Sequence, residues 1–133
     1  MIQLEALTLG YGQQILLDHV SANLDGGGLI ALLGRNGSGK STLLRATAGL
    51  GTIKSGRILL AGKDLAELRP EELARTVSFV TTEKVRIPNL KCRDVVALGR
   101  APYTNWVGRL QPQDREIVAK SLALLDMSAY AER

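Results

Sequence analysis

The sequence predicts an α/β fold, and three features carry that expectation. An apolar run, Leu29-Ile30-Ala31-Leu32-Leu33, leads into the glycine-rich segment Gly34-Arg35-Asn36-Gly37-Ser38-Gly39-Lys40-Ser41-Thr42. A helix-prone stretch, Ser41 to Ala48, follows and stops at Gly49. Extended segments precede this unit and helical patterns follow it. Strand, glycine loop and helix, in that order, are the context that a phosphate-binding loop demands.

Taken in order, Ile2 to Leu9 alternates with period two and reads as a strand. Ile2, Leu4, Ala6 and Thr8 fall on one face, and Gln3, Glu5, Leu7 and Leu9 on the other. Gly10-Tyr11-Gly12 breaks it in a turn. Ile15 to Leu24 is a second extended stretch with Asp18, Ser21 and Asn23 on its polar side, so the pair reads as an antiparallel hairpin. Asp25-Gly26-Gly27-Gly28 is a flexible turn. Leu29–Leu33, apolar throughout, predicts a strand buried on both faces. Beyond the helix, Gly49 to Gly56 reads as a loop, Arg57 to Leu60 as a strand and Ala61 to Asp64 as a turn. Asp64 fits either a β-turn or a helix cap. Pro70 with Glu71 and Glu72 opens a helix, because proline and acids are favoured in a first turn. Val77–Val80 is another short β-rich run. If it lies parallel to Leu29–Leu33, the connection is too long for a simple crossover and implies an inserted β-subdomain. Asp94 to Leu98 fits a helix closed at Gly99, and Pro112 opens a longer one. There Ile117, Val118, Leu122, Leu124 and Leu125 fall near one face, expected to point into a core or, alternatively, at a partner.

The segment from Gly34 to Thr42 matches the pattern G-x-x-x-x-G-K-[ST]. Glycines free the backbone to take positive φ and wrap its N–H groups around a phosphate. Lys40 supplies a cation that reaches β- and γ-phosphates, and the Ser41 hydroxyl is a ligand type suited to Mg²⁺.

Composition narrows the classes. The 133 residues are 45% hydrophobic and 23% charged, which is an ordinary globular balance that can bury a core. The longest apolar runs, such as Leu29–Leu33, fall far short of the roughly 20 residues that span a bilayer. The start, Met1-Ile2-Gln3-Leu4-Glu5, is not expected to be a signal peptide. The single cysteine, Cys92, fits a reducing cytoplasm and reads as a small buried hydrophobe. The single histidine, His19, reads as a strand-surface residue. A net charge of +4 raises the question of nucleic acid. Lys and Arg are spread with no run of three, so a solvated surface plus one polyphosphate site is the expectation.

Three stretches together resemble the nucleotide-binding domain of ABC transporters, over essentially the whole chain. They are Tyr11 in the turn after the first strand, Leu33 to Leu44 with Asn36 and Thr42-Leu43-Leu44, and Ser55-Gly56-Arg57-Ile58-Leu59-Leu60-Ala61-Gly62-Lys63-Asp64-Leu65. The segment Val95 to Tyr103, then Gly108-Arg109-Leu110 and Asp114, is similar to one branch, the importers of iron–siderophore complexes, haem and vitamin B12. The resemblance implies a P-loop NTPase core of ABC type with an N-terminal antiparallel β-subdomain and the start of an α-helical subdomain. It places the β-subdomain and P-loop core at 1–82 and the helical part at 83–133. It implies ATP and Mg²⁺ as cofactors, held by Gly34, Asn36, Gly37, Ser38, Gly39, Lys40, Ser41 and Thr42, with Tyr11 stacking on adenine. A ring face stacked on a base contributes roughly 1–3 kcal/mol. Implied partners are a membrane permease, a second copy of the domain and, indirectly, a substrate-binding protein. The implied location is the inner face of the cell membrane. Tyr103 and Trp106 lie where the helical subdomain begins, near its docking surface for the permease, and read equally as core anchors.

Two departures qualify the resemblance. Where the family has a glutamine that touches Mg²⁺ and the attacking water, this chain has Val80-Thr81-Thr82-Glu83-Lys84, with Thr82 at the aligned position. The Thr82 hydroxyl reaches less far, and Glu83 is a second possible Mg²⁺ ligand. No apolar run ending in Asp-Glu follows Lys40, and His19 precedes it. The signature sequence, the catalytic glutamate and the switch histidine are thus not among these residues, which read as the N-terminal half of such a domain. The expectation is ATP binding without turnover, with exposed apolar faces that promote self-association. A soluble ABC-type ATPase acting on nucleic acid or ribosomes is the alternative, and a non-catalytic nucleotide-binding module a third possibility.

Overall fold

A computed structural model describes residues 1–82, 88–104 and 108–133. They form two compact units, Met1–Phe79 and Val80–Arg133.

The first unit is built on an antiparallel sheet. Strand β1 (Ile2–Tyr11) pairs with β2 (Gln14–Leu24) on one side and with β3 (Ile53–Leu60) on the other, and β4 (Lys63–Asp64) closes the order β2-β1-β3-β4. The expected hairpin is present. Its core face differs from a simple alternation, because Leu4, Leu7 and Leu9 are all buried. The register slips between Leu4 and Leu7, where Ala6 takes φ +44. One extra residue at such a bulge moves every later side chain to the opposite face. A second irregularity is held by Thr8, whose buried hydroxyl donates to Asp18 Oδ1 (3.1 Å) and accepts the His19 N–H (3.2 Å). His19 is exposed, as expected.

Other boundaries moved because strand pairing is non-local. Gly10 and Tyr11 belong to β1, since Ile15 and Gln14 pair with them. Ile53 to Gly56 is strand, not loop, since Leu9 and Thr8 pair with Ile53 and Ser55. Conversely, neither Leu29–Leu33 nor Val77–Val80 is a strand. No described strand pairs with either run, and Leu29 and Leu33 are 100% and 88% exposed where burial was expected.

Helix α1 (Lys40–Thr47) follows the glycine loop and buries Ala46 in the cluster of Leu4, Leu7, Leu9, Ile58, Leu60 and Leu65. Asp64 is a cap: its Oδ1 accepts the Ala66 N–H (2.9 Å) at the start of a 3₁₀ turn, Leu65–Glu67. Helix α2 (Pro70–Thr76) has the expected proline and acids in its first turn.

In the second unit, α3 (Cys92–Leu98) ends at Gly99 and packs beside α4 (Pro112–Leu124). Cys92 is half-buried at the start of α3, not enclosed. The Cys92 and Arg93 N–H groups donate to Arg133 O (2.8 Å) and Ala131 O (3.0 Å), tying the last residues to α3. On α4, Val118 and Leu122 are buried with Asp114, whereas Leu124 and Leu125 are exposed. Leu125 follows the last helical residue and Leu124 lies well off the buried stripe, so only part of the expected face is core. Arg100 Nε donates to Asp114 Oδ1 (2.9 Å), and its guanidinium lies 4.1 Å from the Tyr103 ring centre. Trp106 lies outside the described residues. Among the described residues, no helix is long and apolar enough to cross a membrane.

Candidate functional site

The glycine loop lies between residues 29–33 and α1. Gly37 and Gly39 have φ of +80 and +88, the left-handed region that side chains disfavour. Gly39 has a second constraint: a Cβ there would lie 3.2 Å from Leu17 Cγ on β2. Gly34 sits beside Ser38, whose Oγ would stand 2.8 Å from a Cβ at Gly34. The Ser38 N–H donates to Arg35 O (3.2 Å) and the Leu43 N–H to Gly39 O (2.8 Å), closing the turn onto the helix. Lys40 curls back over the loop, its ammonium donating to Gly34 O (2.8 Å) and Arg35 O (2.6 Å).

The start of α1 contrasts with the other α-helices. In α2, α3 and α4 a carboxylate in the first turn accepts the N–H of the capping residue. The pairs are Glu72 with Arg69 (3.1 Å), Asp94 with Lys91 (3.1 Å) and Asp114 with Gln111 (3.0 Å). Two of these bonds act on their acids in turn. The Arg69 N–H and then its side chain hold the Glu72 carboxyl below the ordinary range. The Gln111 N–H and the Arg100 guanidinium do the same to Asp114. Helix α1 has no acid in its first turn, and its cap, Gly39, has no side chain. The positive end of its dipole therefore faces no carboxylate of its own first turn, an arrangement chemically suited to an anion.

Two cavities open here. One, of about 270 Å³, is lined by Leu16, Asn36, Gly37, Gly39, Lys40, Ser41 and Thr42. The other, of about 440 Å³, has Tyr11, Thr42, Arg45, Thr52 and Lys54 on its walls. Thr42 lines both, so the glycine loop and the Tyr11 ring, 63% exposed, share one stretch of surface. Larger cavities beside α2 and between α3 and α4, of about 720 and 540 Å³, have mainly apolar walls. Leu16, Leu17, Arg45 and Lys54 join the site only through the sheet register and the turn of α1, and no local motif marks them. Thr82 lies in the second unit and is exposed, and Glu83 lies outside the described residues. No group of three His, Cys, Asp or Glu side chains that could hold a metal occurs among the described residues. The side-chain oxygens at the loop are hydroxyls and the Asn36 amide, with no carboxylate among those lining the cavity. Backbone N–H groups, an ammonium and hydroxyls form a donor set that fits a polyphosphate with its own counter-ion.

Comparison with known proteins agrees with this geometry. The profile of the ABC transporter family matches residues 17–133. The chain is 35% identical over 133 residues to an uncharacterised ABC transporter ATP-binding protein of Methanocaldococcus jannaschii, covering 100% of this chain and 46% of that protein. It is 32% identical over 132 residues to the petrobactin import ATP-binding protein FpuD of Bacillus anthracis, covering 99% of this chain and 48% of that one. A solved dimeric bacterial ABC transporter cassette superposes with a TM-score of 0.79 at 26% identity, over 100% of this chain and 61% of that one. The chain spans about half the length of the curated relatives it matches.

Proposed function

We propose, from the premise that this chain belongs to the ABC transporter family, that it carries the ATP-holding part of an importer's ATP-binding subunit. The observation that carries this reading is the start of α1. A glycine cap, an acid-free first turn and Lys40 are gathered around one cavity with Ser41 and Thr42. In this reading the N–H groups of the loop and of α1 donate to phosphate oxygens. Lys40 exchanges its bonds to Gly34 O and Arg35 O for β- and γ-phosphate oxygens, and Tyr11 offers its ring face to adenine. The Ser41 hydroxyl would hold Mg²⁺, which when bound would neutralise phosphate charge. This chain binds and orients. The glutamate and histidine that would activate water are not among its residues after Lys40, so no turnover is expected from it.

The transported class we propose is iron–siderophore, haem or cobalamin. The run from Val95 to Asp114 supports it, as does a relative named for petrobactin import. The whole protein would work as a pair of such domains on the inner face of the membrane, joined to a permease and served by a substrate-binding protein. The dimeric cassette supports the pairing.

Titration calorimetry tests the binding step. Mg-ATP is expected to give heat with the parent chain, and Lys40→Ala to weaken binding by at least about tenfold, the value of one charge-assisted bond. Equal heats from both would sink the reading. For the whole protein, co-purification with a polytopic membrane protein is expected. DNA binding with a steep salt slope would favour a nucleic-acid ATPase instead.

A further inference from the structure

The tip of the β1–β2 hairpin overhangs the sheet. Strands β1 and β3 stay paired only as far as Leu9 and Ile53, whereas β1 and β2 stay paired out to Tyr11 and Gln14. Among the described residues, no strand therefore lies beside residues 10 to 13 on the β3 side. The turn is tight, because Gly10 lets the Gln14 carbonyl approach to where a Cβ would stand 2.0 Å from its oxygen. Gly12, at φ +53, takes the first place of the two-residue loop, where a left-handed residue is required. A tight turn held from one side can still swing as a unit.

A side chain from the neighbouring strand crosses to it. Lys54, on β3, donates its ammonium to Gly12 O, a carbonyl 42 positions away in sequence. The same lysine lines the cavity that Tyr11, Thr42 and Arg45 line. We propose that Lys54 is a positioning residue for the base-holding end of the nucleotide site, pinning the turn that carries Tyr11 so that its ring is already in place. An unpinned turn would have to be ordered when the base stacks, and that entropy would be lost from affinity. The proposal rests on the ATP reading and deepens it: Lys40 serves the phosphates, and Lys54 serves the base through Tyr11.

The test uses the 133-residue chain with two probes, Mg-ATP and Mg-tripolyphosphate, the second lacking base and ribose. Lys54→Met is expected to weaken ATP about tenfold while changing tripolyphosphate by less than about twofold. Lys54→Arg should restore ATP binding. In a Tyr11→Ala background, Lys54→Met should cost nothing further, because its effect is exerted through the ring. Amide exchange should rise at residues 10–14 in Lys54→Met and stay unchanged at Leu4–Leu9. Equal losses for both probes, or a loss that adds to that of Tyr11→Ala, would overturn the positioning role and make Lys54 a direct or purely structural residue. Unchanged ATP affinity in Lys54→Met would overturn this proposal alone. A parent chain that binds neither probe would overturn the ATP reading with it.

Discussion

Gly56 lies opposite the bulge in β1, where a Cβ would stand 2.3 Å from Ala6 O and 2.5 Å from Glu5 O. Its φ of +79 is also one that side chains resist. Both constraints come from the neighbouring strand, because the bulge at Ala6 turns two carbonyls toward β3. Next to it, Arg57 Nε donates to Glu5 Oε2 (2.6 Å) and marks the same register. Gly56→Ala is expected to lower the stability of the first unit by about 2–4 kcal/mol, through left-handed strain and backbone collision together. Urea denaturation followed by far-UV circular dichroism checks this, and an unchanged midpoint would contradict the register. A glycine was legible at this position. Its reason was not, because the bulge is invisible to a period-two reading of Ile2 to Leu9.

At the scale of elements, the α-helices divide by what sits at their first turn. Asp114 accepts the Gln111 N–H and the Arg100 guanidinium, and its carboxyl is held below the ordinary range. A carboxylate whose folded value is lowered stabilises the fold fully above its unfolded value, and loses that contribution as pH falls through the folded one. The melting midpoint of the second unit should therefore be flat from neutrality down to about pH 5 and fall below about pH 4. Asp114→Asn should lower the midpoint at neutral pH, and its gap from the parent should close in acid. Thermal melts across that range read the difference, and a gap independent of pH would refute the role of the charge. Helices were the most legible elements, since Pro70, Gly99 and Pro112 mark their ends locally. Strands were the least legible, since Ile53–Gly56 became strand only because β1 lies beside it.

Across the whole molecule, apolar side chains stand exposed in both units: Leu29 and Leu33 in the first, and Val80, 93% exposed, with Leu124 and Leu125 in the second. Patches of that kind favour association. Sedimentation velocity at rising concentration should show self-association, and a clean monomer throughout would contradict it. The Leu29–Leu33 run also marks where sequence reasoning ends. By itself the sequence determined the glycine loop and the helix behind it, because nine consecutive residues carry that pattern. It also determined the hairpin and the helix ends, which depend on near neighbours. Only the tertiary structure decided that β1 bulges at Ala6, that Leu29–Leu33 is not a strand, and that Lys54 reaches the turn of Tyr11. The physical reason is common to all three. A strand or a cross-sheet bond exists only when a distant backbone supplies the other half of its hydrogen bonds, and no local pattern records which backbone that will be.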